Sequence, residues 1–159
     1  MVPVGARKIG YAYPYPRDAP FEGDTVTAEL SAKLKALLDT PVFVTVATVQ
    51  PDGSPQLSPV WVKRDGDDVI FSTTLERQKE KNLRRDPRVT VLLQPFDEPY
   101  AYAEIRGTAS MTTEGGQELI DELSLKYTGL KYAEFNPRSG QDAPRVVVRV
   151  SARKVVGRI

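Results

Sequence analysis

The stretch Arg77 to Arg88 (RQKEKNLRRDPR) holds six basic and two acidic side chains, in a chain whose whole formal net charge is +1. It follows three hydroxyl residues, Ser72, Thr73 and Thr74, at what the pattern marks as a strand-to-helix junction. Hydroxyls and free amides at the start of a helix bind phosphate. At about 100° per residue, Arg77, Glu80, Lys81 and Arg84 share one helical face, which is expected to be wet. Lys79 instead falls between Leu75 and Leu83 at four-residue spacing, on the only apolar stripe, with Asn82 about 60° away. Two readings fit. The run is a solvated face of i,i+4 pairs whose Lys79 snorkels past the leucines. Alternatively, Ser72, Thr73, Thr74, Arg77 and Lys79 form a phosphate cradle with the lysine turned inward.

A second polar cluster lies in Gln56-Leu57-Ser58-Pro59-Val60-Trp61. In a strand, Gln56, Ser58 and Val60 point one way and Leu57, Pro59 and Trp61 the other. Either the polar pair faces inward and lines a ligand site, or it faces water while Trp61 packs in the core, with Pro59 marking an edge or bulge. No histidine and no cysteine occur. Imidazole acid–base chemistry, His- or Cys-ligated metals, thiol nucleophiles and disulfides are therefore excluded. No GxGxxG or GxxxxGK[ST] motif is present, and Asp65, Asp67 and Asp68 fit a turn better than a metal site. Chemistry must come from a bound cofactor or from carboxylates, Lys and Tyr.

The elements that would position these residues are mainly strands. Leu30, Leu34, Leu37 and Leu38 give one helical face over Thr27–Asp39, capped by Thr27 or Asp24 and ended by Pro41. The period then changes to two. Strands are expected over 42–49, 56–63, 68–73, 88–94, 101–111 and 145–156, with turns at Gln50–Ser54 and Asp65–Asp67. Six short strands at hairpin spacing suggest an antiparallel barrel, which removes exposed edges. Helices are expected over Leu75–Arg85 and over Glu114–Tyr127, the latter capped by Thr112 or Thr113. Residues 128–144, with Gly129, Pro137, Gly140 and Pro144, form a long irregular loop of the length that is more often functional than idle. Residues 1–24 are expected to be an extended Tyr/Pro-rich arm that docks on something, ahead of a single domain over 25–159. At 159 residues the chain is long enough for a core without staples. No signal-peptide-like or membrane-spanning apolar segment occurs, so a cytoplasmic location is expected.

The residues from Pro41 to Ile159 resemble the pyridoxamine-phosphate-oxidase-like split β-barrel superfamily, most closely the actinobacterial branch that uses the deazaflavin coenzyme F420. The resemblance rests on VFVTVATVQPDGSPQLSPVWV, VIFSTT, RQKEKNLRRDPRVTVLL and AYAEIRGTASMT, of which K-x-x-N-L-R-R-D-P-R after a hairpin is the more specific part. It implies a mainly β split antiparallel barrel with a few helices, working as a homodimer with cofactors in grooves between the two chains. Thr73, with its neighbours Ser72 and Thr74, and Arg77, Lys79 and Asn82 would then hold the cofactor phosphate. Gln56 and Ser58 would lie along the ring. The implied activity is hydride transfer from reduced F420 to an unsaturated small molecule, with a proton donor among Tyr100, Tyr102, Tyr127 and Tyr132. FMN is the alternative cofactor, and a non-catalytic cofactor- or haem-binding barrel the alternative role. Nucleic acid, membrane and metal partners are not expected. A small barrel gripping single strands would need interleaved aromatics that the 77–88 segment lacks.

Overall fold

The structure is a computed structural model that describes residues 27–159. The expected arm over 1–24, and Asp24 as a cap, lie outside the described residues. The first helix, α1, spans Ala32–Asp39, and Ser31 caps it by accepting a hydrogen bond from the Leu34 N–H at 3.1 Å. It starts later than the expected Thr27 because the preceding backbone is used elsewhere. Ala28 N–H donates to Ala152 O at 2.8 Å and Leu30 N–H to Asp67 Oδ1 at 2.8 Å.

Seven strands follow: β1 (Val44–Val49), β2 (Pro55–Val60), β3 (Val62–Asp65), β4 (Asp68–Thr74), β5 (Arg88–Leu93), β6 (Ala103–Thr112) and β7 (Arg145–Gly157). They form one antiparallel sheet in the order β2-β1-β5-β6-β7-β4-β3. The expected single strand over 56–63 is two strands, broken at Trp61. That break has a topological consequence. The two edge strands of the sheet are successive in the chain, so the sheet must curl until its edges meet at one residue, giving a half-barrel rather than a closed one. The last turn of α3 (Gly116–Thr128) spans the gap. Tyr127 Oη accepts the Val62 N–H at 3.0 Å and donates to Val42 O, while Lys126 Nζ donates to Leu38 O at 2.6 Å and Val62 O at 2.7 Å.

Strand alternation places Val44, Val46, Val89, Val91, Ile105, Val148 and Val150 on the concave face, where α1 adds Leu34 and Leu38 to the core. β4 is buried on both faces, with Val69 and Phe71 inward and Ile70 packed under Leu119 and Leu123 of α3. The convex face of β2-β1-β5 is different. Register places Leu57 opposite Ala47, Pro59 opposite Thr45 and Leu92 opposite Thr45 on that face, and Leu57 and Leu92 are exposed.

The remaining helices are α2 (Gln78–Arg85), α4 (Tyr132–Phe135) and a short 3-10 turn at Ser139–Gln141. The two short elements break up the loop expected over 128–144. α3 begins at Gly116 behind Gly115, and the expected threonine caps act in the turn before it, where Thr112 Oγ1 accepts the Glu114 N–H. No helix among the described residues is long and apolar enough to cross a membrane.

Candidate functional site

The end of β4, the start of α2, the β2–β3 break and the segment between α3 and β7 enclose a cavity of about 410 Å³. Ser72, Thr73 and Thr74 line it from β4, and Arg77 and Lys79 from α2. The hydroxyls of Ser72 and Thr73 are buried and meet no hydrogen-bond partner among the described residues. Leaving a buried polar group unpaired costs about 1–3 kcal/mol, so two adjacent orphans imply a ligand or solvent that completes them.

Charge in the cavity is one-sided as well. Elsewhere in the basic stretch the cations are satisfied. Lys81 pairs with Glu76 at 3.3 Å, Arg84 with Glu80, Arg88 with Asp86, and Arg85 donates to Val49 O. Arg77 and Lys79 have no ion-pair partner among the described residues. Burial, helped by the positive charge of Arg77, holds the Lys79 ammonium below its ordinary pKa. Two cations without an ion pair and two hydroxyls without a partner thus share one cavity, a donor set with the chemistry to hold an anion.

Local backbone explains how these groups come to the cavity. The helix expected from Leu75 begins only at Gln78, because Leu75 N–H donates to Pro144 O at 3.0 Å and Glu76 takes a left-handed conformation with φ of 68°. That conformation is uncommon for a side chain other than glycine and costs about 1–3 kcal/mol, a strain that clusters at functional sites. Glu80 holds the turn, accepting the Glu76 N–H at 3.1 Å and a forked contact from Arg84. The expected wet position of Glu80 is thus corrected: it is fully buried. The charge is tolerated because an arginine and a backbone N–H satisfy it.

The far wall is aromatic. Trp61 stacks on Tyr127 at 5.3 Å between centroids, with planes 13° apart, and meets Phe135 at 5.3 Å; Phe43 approaches Tyr127 edge-on. Above it, Arg145 donates to Tyr132 Oη at 2.6 Å and to Asp142 at 2.7 Å, with its guanidinium 4.5 Å from the Tyr132 ring centre. Gly116 lets α3 pack against this arginine, since a Cβ there would meet Arg145 O at 2.6 Å. Arg145, Trp61, Phe135 and Asn136 line the cavity and were not singled out from the sequence as site residues. The length of the 128–144 loop was the signal for Phe135 and Asn136.

The other three candidates lie apart from the cavity. Asn82 is fully buried, donates to Thr48 Oγ1 at 3.0 Å and accepts from Gln78 Nε2 at 2.9 Å. Thr48 Oγ1 donates to Gln56 Oε1 at 3.0 Å, and Gln56 Nε2 donates to Ser58 Oγ at 2.8 Å. Gln56 and Ser58 therefore do turn toward the concave side, in a network that pins α2 to β1 and β2.

A family model for pyridoxamine 5'-phosphate oxidase matches residues 30–158. The chain belongs to that family. Among solved structures, an F420 reductase is similar at 29% identity and a TM-score of 0.70, covering 80% of this chain and 98% of its own. A conserved hypothetical protein from Mycobacterium tuberculosis is 28% identical with a TM-score of 0.66, covering 82% and 85%. The General Stress Protein 26 of Bacillus anthracis, at 17% identity and a TM-score of 0.57, covers 79% and 90% and shares the fold. The pyridoxamine 5'-phosphate oxidase-like family binds flavins and includes oxidoreductases, and a cavity with cationic and hydroxyl donors at one end and an aromatic wall at the other accords with membership.

Proposed function

We propose that this family member is an F420-dependent oxidoreductase that reduces a small unsaturated molecule. The observation that carries the reading is the meeting of the orphaned Ser72 and Thr73 hydroxyls with the unpaired Arg77 and Lys79 cations. That donor set suits the phosphate of a flavin-like coenzyme, and Thr74 adds a third hydroxyl beside it. The bound coenzyme supplies the hydride. The chain's own residues bind and orient: the cradle fixes the phosphate, the strained Glu76 turn aims it, and the Asn82–Thr48–Gln56–Ser58 network holds α2 in place. Trp61 and Phe135 form the cavity's apolar wall.

F420 is favoured over FMN by the similarity to an F420 reductase along nearly all of that protein. The same cradle accepts the phosphate of FMN, which is the second reading. We further propose that the protein acts as a homodimer. Exposed Leu57 and Leu92, together with Pro59, give the convex side of β2-β1-β5 an apolar character of the kind that marks an interface. Gln56 and Ser58 lie on the same edge strand, where a second chain and the coenzyme ring would approach.

The test is a titration of F420 and FMN side by side, followed by quenching of Trp61, the only tryptophan. Tighter binding of F420 is expected. Preference for FMN assigns the second reading, and failure of both to bind refutes the coenzyme role.

A further inference from the structure

The described residues contain four tyrosines: 100, 102, 127 and 132. Tyr100 and Tyr102 are exposed and away from the cavity. Tyr127 has spent its proton on Val42 O. Tyr132 lines the cavity, and its oxygen is in an unusual state. Asn136 Nδ2 donates to it at 3.1 Å and Arg145 Nη2 at 2.6 Å. A phenol offers two acceptor lone pairs and one O–H. Both lone pairs are taken by groups that can only donate, so the sole bonding capacity left is the proton, and it meets no acceptor among the described residues. Arg145 is itself held in place by Asp142, which keeps its guanidinium on the phenol oxygen.

We propose that Tyr132 is the substrate-recognition residue of this cavity, donating its O–H to a carbonyl or quinone oxygen of a flat conjugated molecule seated against Trp61 and Phe135. This rests on reading the cavity as the reaction site. Phe135 lies 5.3 Å from Trp61 and 6.4 Å from Tyr132, so a planar ligand on this wall is within reach of the phenol. The arrangement also has a direction. A donor already polarised by a guanidinium binds an oxygen more strongly as that oxygen gains negative charge during reduction. A site built around a committed donor rejects an isostere that lacks the acceptor.

The experiment uses the full chain without coenzyme and two probes, menadione and 2-methylnaphthalene, which differ by the two quinone oxygens. Binding is read from Trp61 fluorescence. Menadione is expected to bind about 3- to 10-fold more tightly, the range of one hydrogen bond. Tyr132→Phe is expected to abolish that ratio while keeping the affinity for 2-methylnaphthalene. A ratio near one in the unaltered protein overturns the proposal, as does a ratio that survives the substitution. An equal fall for both probes places Tyr132 in wall packing and overturns it too. Because no coenzyme is present, a failed F420 titration beside an intact menadione ratio would sink the coenzyme assignment and leave Tyr132 recognition standing.

Discussion

Replacing Lys79 with alanine separates a ligand-binding lysine from a structural one, because the two roles give effects of opposite sign. The Lys79 side chain is half-buried, has no carboxylate partner among the described residues, and sits beside Arg77. In the empty protein it is a cost, since burial and like charge both disfavour the ammonium form. In the proposed complex it would make a charge-assisted hydrogen bond to phosphate, worth about 1.5–3 kcal/mol, which converts to roughly 10- to 150-fold in affinity. Lys79→Ala is therefore expected to weaken F420 binding by that factor in a Trp61-quenching titration at fixed ionic strength. The same variant without ligand should melt at the same temperature as the parent or higher. A lysine that merely packs its stem against Leu75 and Leu83 would do the reverse, lowering the melting temperature and sparing affinity. Affinity within twofold of the parent would refute the phosphate role.

Lys79 also sets a pH dependence: the free-state pKa lies below the ordinary value and anion binding favours the ammonium, so coenzyme affinity falls as pH rises through that lowered pKa. Lys79→Arg moves the fall to higher pH in the same titration. Asn82→Ala strips partners from Thr48 and Gln78, and about 1–3 kcal/mol of lost stability, roughly 2–12 °C in melting temperature, is expected by calorimetry. Tyr127→Phe leaves the Val62 N–H and Val42 carbonyl unpaired at the seam of the half-barrel, and faster hydrogen exchange at the Val62 amide is the diagnostic, with no change counting against the latch. Leu57→Glu puts a charge on the convex face at a position 62% exposed, so the fold should survive while sedimentation velocity, which on the homodimer proposal shows a dimer for the parent, shows monomer for the variant.

Most of the sheet was legible because β-branched residues alternating with turn chemistry leave few alternatives. The expected boundaries of the strands ending in β5 and β7 differ by a residue from those observed. The break at Trp61 was not legible, since nothing in VWVK announces that two halves of one run will lie at opposite edges of a curled sheet. Spacing located Lys79 on the inward side even though Leu75, half of the supporting stripe, proved to lie outside the helix; both leucines are buried all the same. Glu80 escaped the same reasoning because spacing put it on the charged face with Arg77, Lys81 and Arg84, and only the fold supplies the arginine and amide that make its burial tolerable. The hydroxyl triplet shows the limit most clearly. A sequence displays which groups can hydrogen-bond but never which of them go unanswered. Spacing offered Ser72, Thr73, Arg77 and Lys79 as a cradle beside an equally open solvated reading, and the structure separates the two by leaving both hydroxyls without a partner and both cations without an ion pair while their charged neighbours are paired. What defines the site is unmet demand, a property of the assembled fold that no local spacing carries.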